Sequence, residues 1–141
     1  MDAMNIPSAL EFQERIAVEV KDCASSWGND GLLAFSTPAM LGYMELACVK
    51  ALQPHLPAGM MTVGGTVTLQ HLAPTPAGAY VDIRVELREM DGKRLQFAFT
   101  VHDAQEKVGE GVHDRYLVSQ PRFEKRLEQK REALADKSGQ R

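Results

Sequence analysis

Residues 38–49 form a long run of apolar and small side chains that contains a single charge, Glu45. A helix that is apolar on nearly all sides is packed inside a protein rather than on its surface. Burial would be costly for an unpaired carboxylate, because the charged group loses its water. We therefore expect that Glu45 is either bonded by polar partners or used in chemistry.

The boundaries of this helix can be predicted from the residues at its two ends. Thr37-Pro38 is typical of a helix start, with Thr37 as the N-cap and Pro38 at the first helical position. Pro54 cannot continue a helix, so we expect the helix to end at about Leu52. Thr37 and Glu45 are then two turns apart and broadly on one side of the helix.

Strand patterns come before and after the helix. Residues 11–20 alternate well enough for a strand, and a loop at 21–36 follows. The second half of the chain predicts four strands, at about 59–71, 80–89, 95–103 and 108–119. The clearest pattern is at 81–87, where Val, Ile, Val and Leu alternate with Asp, Arg and Glu, as in a strand with one buried face. Asp91-Gly92 predicts a hairpin turn after it.

This order of elements predicts an α+β fold in which a curved antiparallel sheet wraps around the central helix. Such a sheet has edges that need covering, and pairing with a second copy is one solution. Residues 121–141 carry seven Lys or Arg against four Asp or Glu and show helical spacing. They indicate a C-terminal helix that is either a solvated face or a basic patch near a phosphate-bearing ligand. We expect one domain over 1–141, with its core at about 10–120.

Composition excludes several classes of protein. The net charge of −3 gives no reason to expect a nucleic-acid partner, and no apolar run reaches the length of a membrane span. The N-terminus has no secretory signal pattern. Cys23 and Cys48 are isolated thiols without metal-ligand spacing, so we expect a cytoplasmic protein without a metal site.

Three segments carry a resemblance to a known family. They are Thr37–Cys48 with Glu45, Val63–His71 with the Gly64-Gly65 pair, and Glu110–Arg115. Together with the Pro74–Gly78 turn, they resemble the hotdog-fold thioesterases related to fluoroacetyl-CoA thioesterase, over roughly residues 10 to 125. The spacing Thr-x7-Glu-x25-His is similar to the catalytic set of that family.

The resemblance implies the fold, the reaction and the site. It implies a hotdog fold and a homodimer that hydrolyses a small acyl-CoA at the subunit interface, with CoA as part of the substrate and no separate cofactor. The implied catalytic residues are Thr37, Glu45 and His71. The implied substrate-binding residues are Gly64, Gly65 and Arg115. Without the resemblance, Thr37 is equally well read as a cap, the glycines as relief for a strand bend, and Arg115 as a surface ion-pair partner.

Two questions stay open at this point, the selectivity for fluoroacetyl and the alternative to a thioesterase. The family member selective for fluoroacetyl carries an aromatic lid residue ahead of the helix, whereas Gly31 is near that position here. A non-catalytic dimer that binds acyl-CoA is therefore the alternative to a thioesterase. His55, His102 and His113 are interpreted as structural.

Overall fold

The computed structural model describes residues 5–138. Residues 139–141 of the predicted tail lie outside this range. The elements are β1 (Glu11–Ala17), α1 (Thr37–Leu52), β2 (Met60–His71), β3 (Tyr80–Asp91), β4 (Arg94–His102), β5 (Lys107–Ser119) and α2 (Gln120–Ser138). Short 3₁₀ turns at Val20–Asp22 and Ala24–Trp27 occupy the segment before α1.

The five strands form one antiparallel sheet in the order β1-β3-β4-β5-β2. Helix α1 packs against β1, β3 and β2, so the sheet wraps around it as predicted. The alternation at 81–87 is confirmed, since Val81, Ile83, Val85 and Leu87 are all buried beneath the helix. Strands β1 and β2 are the two edges of the described sheet, and β2 pairs only with β5 on one side.

The start of α1 differs from the prediction by one residue. Ser36 is the N-cap: its Oγ accepts a hydrogen bond from the Ala39 N–H at 3.2 Å, and Thr37 is already the first helical residue. Ser and Thr cap equally well in sequence, and Pro is accepted at either of the first two positions. The predicted C-terminal boundary at Leu52 is confirmed, with a 3₁₀ turn at Gln53–His55 after it.

Strand β1 is shorter than its hydrophobic alternation predicts. It ends at Ala17, because Val18 bonds through its backbone to the turn before β3 and Val20 begins a 3₁₀ turn. This turn is anchored by Asp22, whose carboxylate accepts the Glu19 N–H at 3.0 Å. The apolar alternation continues in the sequence through Val18 and Val20 after the strand has ended. It no longer marks one buried face there, because Val18 is buried and Val20 is exposed.

Strand β2 contains a β-bulge at the Gly64-Gly65 pair, where the sequence suggests a strand bend. Its register against β5 shifts between Gly64 and Thr66, so Gly65 has no partner on β5. A bulge turns the side chains on its two sides to different faces and strengthens the local twist.

Within residues 5–138, no helix is long and apolar enough to cross a membrane.

Candidate active site

Thr37 and His71 meet at the N-terminal end of α1. The Thr37 Oγ1 lies 2.8 Å from the His71 Nδ1. The hydroxyl comes from the first residue of the helix and the imidazole from the last residue of β2, which are 34 positions apart in the sequence. A hydroxyl that donates to an imidazole is the arrangement in which a weak nucleophile or a water can be activated.

His71 is suited to accept a proton. Burial lowers the pKa of His71 from its usual range, so the neutral imidazole is favoured near pH 7. Its Nε2 is buried and has no hydrogen-bond partner among the described residues. A buried imidazole nitrogen without a partner is costly in a purely structural role. The ring therefore keeps one unused hydrogen-bonding position at Nε2.

Glu45 lies in the third turn of α1 and bonds to a residue of β5. Its Oε2 accepts a hydrogen bond from the Arg115 Nη1 at 3.2 Å. Arg115 is buried, and its other donors bond the Oγ1 and carbonyl oxygen of Thr62 at 2.9 Å and 3.0 Å. The Glu45 side chain remains 38% exposed, so the carboxylate is paired and still reachable. Glu45 thus has the polar partner that its place in an apolar helix required, and its burial is partial.

His113 completes this cluster, although the sequence analysis assigned it no site role. The ring is fully buried; its Nδ1 lies 2.8 Å from the Thr66 carbonyl oxygen and its Nε2 lies 3.1 Å from the Arg115 Nη1. Burial, followed by the Arg115 charge, lowers the pKa of His113. A neutral ring that donates from Nδ1 and accepts from Arg115 at Nε2 satisfies both contacts. The signal in the sequence was the two-residue spacing of His113 and Arg115, which places both on one face of a strand.

The two glycines of the bulge contact different groups. A Cβ atom built on Gly64 would lie 2.3 Å from the Glu45 Oε2, so only glycine leaves room for the carboxylate there. A Cβ atom on Gly65 would instead meet the Tyr116 ring at 2.4 Å. Because Arg115 is buried and Tyr116 is exposed, the two contacts are on opposite faces of the sheet. Gly64 thus sets the position of Glu45.

A cleft of about 470 Å³ opens beside the Thr37–His71 pair. Its walls come from the loop before α1, including Trp27 and Leu32, and from the segment after β2. Both Trp27 and Leu32 are about half exposed. Gly31 has φ of +79°, a conformation that disfavours any side chain, so an aromatic residue at this position would strain the loop.

The loop before α1 is fixed by a polar network. The Ser36 Oγ donates to the Asp22 carbonyl oxygen at 2.9 Å, and the Tyr43 hydroxyl donates to the Asp22 carboxylate at 2.8 Å. Tyr43 also stacks on Phe35. These bonds join the 3₁₀ turn to both the cap and the second turn of α1. The Thr37 hydroxyl is therefore held on a rigid helix end.

Neither cysteine is placed to act as a nucleophile. Cys48 is fully buried within α1, and burial raises its pKa to about 12. Burial also raises the pKa of Cys23. A thiol that stays protonated is a poor nucleophile. In the part of the chain from residue 5 to residue 138, no group of three His, Cys, Asp or Glu side chains is placed to hold a metal ion.

In one chain the predicted catalytic residues fall into two groups. Thr37 and His71 form one, and Glu45 with Arg115 forms the other. Eight helical residues separate Thr37 from Glu45, which corresponds to about 12 Å along the axis. The edge strand β2 connects the two groups, because Gly64 lies against Glu45 and His71 lies against Thr37.

Comparisons with known proteins give the context for this geometry. The family model described as fluoroacetyl-CoA-specific thioesterase matches residues 18–121. The fluoroacetyl-CoA thioesterase of Streptantibioticus cattleyicolor is 36% identical over 96 residues, which are 68% of this chain and 69% of the relative.

Solved structures agree with the sequence comparisons. A structure of the fluoroacetyl-CoA thioesterase superposes with a TM-score of 0.81 at 28% identity, over 88% of this chain and 96% of the other. A hot-dog-like protein from Thermanaerovibrio acidaminovorans gives a TM-score of 0.85 at 26% identity, over 90% and 94% of the two chains. The hotdog fold expected from the sequence is thereby confirmed. With the family model matching most of its length, this chain belongs to the fluoroacetyl-CoA-specific thioesterase family.

Proposed function

We propose that this protein is an acyl-CoA thioesterase that hydrolyses small acyl groups to the free acid and CoA. The observation that carries the proposal is the 2.8 Å hydrogen bond between Thr37 and His71 at the mouth of a cleft. Family membership supports the reaction class. The open loop at Gly31 favours small acyl groups in general over selectivity for fluoroacetyl.

In the proposed reaction, water adds to the thioester carbonyl and CoA leaves as a thiol. In one course the Thr37 hydroxyl attacks the thioester carbonyl, and neutral His71 takes up the hydroxyl proton and returns it to the departing CoA sulfur. A water then hydrolyses the acyl–Thr37 ester, giving its proton to Glu45, from which the proton passes to the Thr37 oxygen. In the other course Thr37 holds the water that attacks the thioester directly, Glu45 takes up the proton of that water, and the proton passes to the CoA sulfur as it leaves. Transfer by a positioned base of this kind contributes about 10²- to 10⁴-fold to the rate.

Glu45 is proposed as the base that activates water, and Arg115 as the group that orients the Glu45 carboxylate. The contacts at 3.2 Å between the Arg115 Nη1 and the Glu45 Oε2 support this role. The bulge at Gly64 and Gly65 is proposed as the place where the substrate carbonyl approaches the backbone. We propose that a backbone N–H of this bulge, where Gly65 has no residue opposite it on β5, donates to the oxyanion that forms there.

A homodimer through β2 is part of the proposal. An unpaired strand edge is a template for a second copy. Antiparallel pairing of two β2 strands places the Gly64 end of one strand toward the His71 end of the other. The Glu45 group of one protomer would then approach the Thr37–His71 group of its partner, which removes the 12 Å separation within one chain. We also propose that the chain acts as one domain in the cytoplasm.

A thiol-release assay across a panel of acyl-CoAs tests this proposal. We expect turnover of short acyl-CoAs, with losses of at least 10²-fold in kcat for Glu45→Gln and for His71→Ala. Thr37→Ser keeps the hydroxyl and should retain more activity than Thr37→Ala. Light scattering on each variant checks that it is folded and dimeric.

The assay also separates the alternative function. Tight binding of acyl-CoA without turnover, in a folded dimeric wild type, would make this chain a binding protein. Unchanged turnover in Glu45→Gln would leave the reaction class standing and refute the role of Glu45.

A further inference from the structure

His113 belongs to the cluster around Glu45, and the proposed reaction gives it no task. Its side chain is fully buried. The Nε2 atom lies 3.1 Å from the Arg115 Nη1 and 3.7 Å from the Glu45 Oε2. The Nδ1 atom lies 2.8 Å from the Thr66 carbonyl oxygen. The ring therefore contacts both the strand that carries the bulge and the arginine that bonds the proposed base.

The two partners of His113 admit one protonation state. The Thr66 carbonyl oxygen can only accept a hydrogen bond, so the proton of the ring is on Nδ1. The Arg115 guanidinium can only donate, so Nε2 is the unprotonated acceptor. A proton on Nε2 would face a guanidinium that is always charged. His113 is therefore a neutral ring that serves Arg115 as a fixed acceptor.

His113 and Arg115 bond strand β2 on both sides of its bulge. Before the bulge, Arg115 donates to the Oγ1 and the carbonyl oxygen of Thr62 at 2.9 Å and 3.0 Å. After the bulge, His113 donates to the Thr66 carbonyl oxygen. The bond between the two side chains joins these anchors, and Gly64 lies between them in the strand. The pair thus holds β2 at the place where the proposed base lies against it.

The N–H groups of Arg115 explain why this acceptor matters to Glu45. The Nη1 atom carries two N–H groups, and one of them is enough for the 3.2 Å bond to the Glu45 Oε2. His113 accepts at the same nitrogen. Among residues 5–138 the Glu45 Oε1 has no hydrogen-bond partner, and the Glu45 side chain is 38% exposed. Glu45 is therefore bonded at one oxygen and keeps the other for water.

Loss of the acceptor would act on Glu45 through Arg115. A buried N–H group without a partner is costly, because it has lost its water and gained nothing in return. The Glu45 Oε2 lies only 3.7 Å from the position of the His113 Nε2, so the carboxylate is the acceptor within reach. Hydrogen bonds to a carboxylate favour its charged form. A second bond from Arg115 would therefore make Glu45 a weaker proton acceptor and would occupy the oxygen that water needs.

We propose that His113 is a positioning residue for hydrolysis: it occupies the second Nη1 donor of Arg115, so that Glu45 is bonded at one oxygen only and can act on water. The inference rests on the proposed thioesterase function and deepens it. In this role His113 touches neither the substrate nor the attacking water, and it acts through Arg115. What counts is a neutral acceptor at the Nε2 position rather than the imidazole ring itself.

Two substitutions separate the acceptor from the ring. His113→Gln keeps a neutral side chain with one acceptor and a donor, and His113→Leu fills the site with an apolar chain that offers neither. The control is Val85→Ala, which removes two methyl groups from a fully buried position of β3 outside the cluster. Thiol release from a short acyl-CoA gives kcat and KM, and urea unfolding of the same samples gives the stability.

We expect kcat of His113→Leu to fall about tenfold or more while its KM stays within about twofold of the wild type, because Glu45 acts in the chemical step. His113→Gln should recover most of kcat although it lacks the imidazole. Val85→Ala should unfold at a lower urea concentration and keep the kcat of the wild type. A loss of kcat in His113→Gln as large as in His113→Leu, or a change in KM alone, would overturn the inference.

A measurement on the wild type needs no variant to fold. Long-range ¹H–¹⁵N NMR of the imidazole nitrogens at pH 7 should show His113 neutral with its proton on Nδ1. A proton on Nε2, alone or with one on Nδ1, would overturn the inference. Wild-type turnover with an unaffected His113→Leu would overturn this inference alone, whereas a folded wild type without turnover would overturn the thioesterase proposal and this inference with it.

Discussion

Gly64→Ala is the substitution that tests most directly whether the position of Glu45 matters. The added Cβ would lie 2.3 Å from the Glu45 Oε2, whereas ordinary contacts begin at 3.4 Å. The carboxylate must therefore retreat by about 1 Å. It is the end of a flexible side chain, so it can move without a shift of the backbone. We expect the movement to disturb the 3.2 Å contact with Arg115, whose Nη1 would lie 3.5 Å from the same Cβ atom.

The expected effect on rate is large and the expected effect on stability is small. A misplacement of about 1 Å at a reacting group can cost about 10²-fold, which corresponds to about 2.7 kcal/mol in the activation barrier. Gly64 does not adopt a positive φ, so alanine should gain about 0.4–1 kcal/mol by restricting the unfolded chain. The ion pair is weakened rather than broken, and Arg115 keeps its bonds to Thr62, so this loss should be similar in size, at most about 1 kcal/mol. The free energy of unfolding should stay within about 1 kcal/mol of wild type.

The assay is thiol release from a short acyl-CoA, with kcat and KM measured separately and urea unfolding run on the same samples. Gly65→Ala is the matched comparison, because its Cβ meets the Tyr116 ring on the other face and leaves Glu45 in place. We expect the loss in kcat at Gly65 to be at least tenfold smaller than at Gly64. Equal losses in the two variants would show that distortion of the β2 backbone, rather than displacement of Glu45, lowers kcat. Full activity in Gly64→Ala would refute the assigned role of Glu45.

Two further predictions concern stability. Since burial lowers the pKa values of both His71 and His113, the unfolded chain binds more protons than the folded chain below about pH 6.5. The free energy of unfolding from urea titrations should be constant above that pH and fall as the pH decreases toward 5, by at most about 1.4 kcal/mol per pH unit for each proton; a flat profile from pH 7 to 5 would contradict the neutral assignments. Ser36→Ala should cost about 1 kcal/mol by removing the α1 cap, and Ser36→Thr should restore most of it. If Thr37→Ala destabilises more than Ser36→Ala, Thr37 is the effective cap.

The fold could be predicted where a local pattern and a core requirement agree. The alternation at 81–87 predicted β3 correctly, and the prolines near the ends of α1 predicted its bounds to within one residue. At these positions burial and backbone geometry favour the same structure. The cap was wrong by one residue, since Ser36 and Thr37 are chemically equivalent as caps, and the bonds of Ser36 to the Ala39 N–H and the Asp22 carbonyl distinguish them only in the folded chain. The end of β1 was missed because hydrogen bonds from Val18 to another turn override its pattern.

The candidate site could be predicted only in part, because its contacts join distant segments. The family resemblance pointed to Thr37 and His71, and the structure places them 2.8 Å apart. His113 was missed, since nothing local shows that its strand face lies under Glu45. The register of β5 against β2 decides this, and that register depends on the bulge after Gly64. The roles of these residues in the reaction stay predictions.

Strand β5 has a consequence for how this enzyme could diversify. Arg115 is turned inward to Glu45, and its neighbour Tyr116 is turned outward against Gly65. Two adjacent codons therefore have opposite surroundings, one buried and one exposed. Substitutions at 116 meet weaker packing limits than substitutions at 115, so a lineage can vary its outer face while its inner face stays fixed. Selection can act on the two positions independently, although they are encoded side by side.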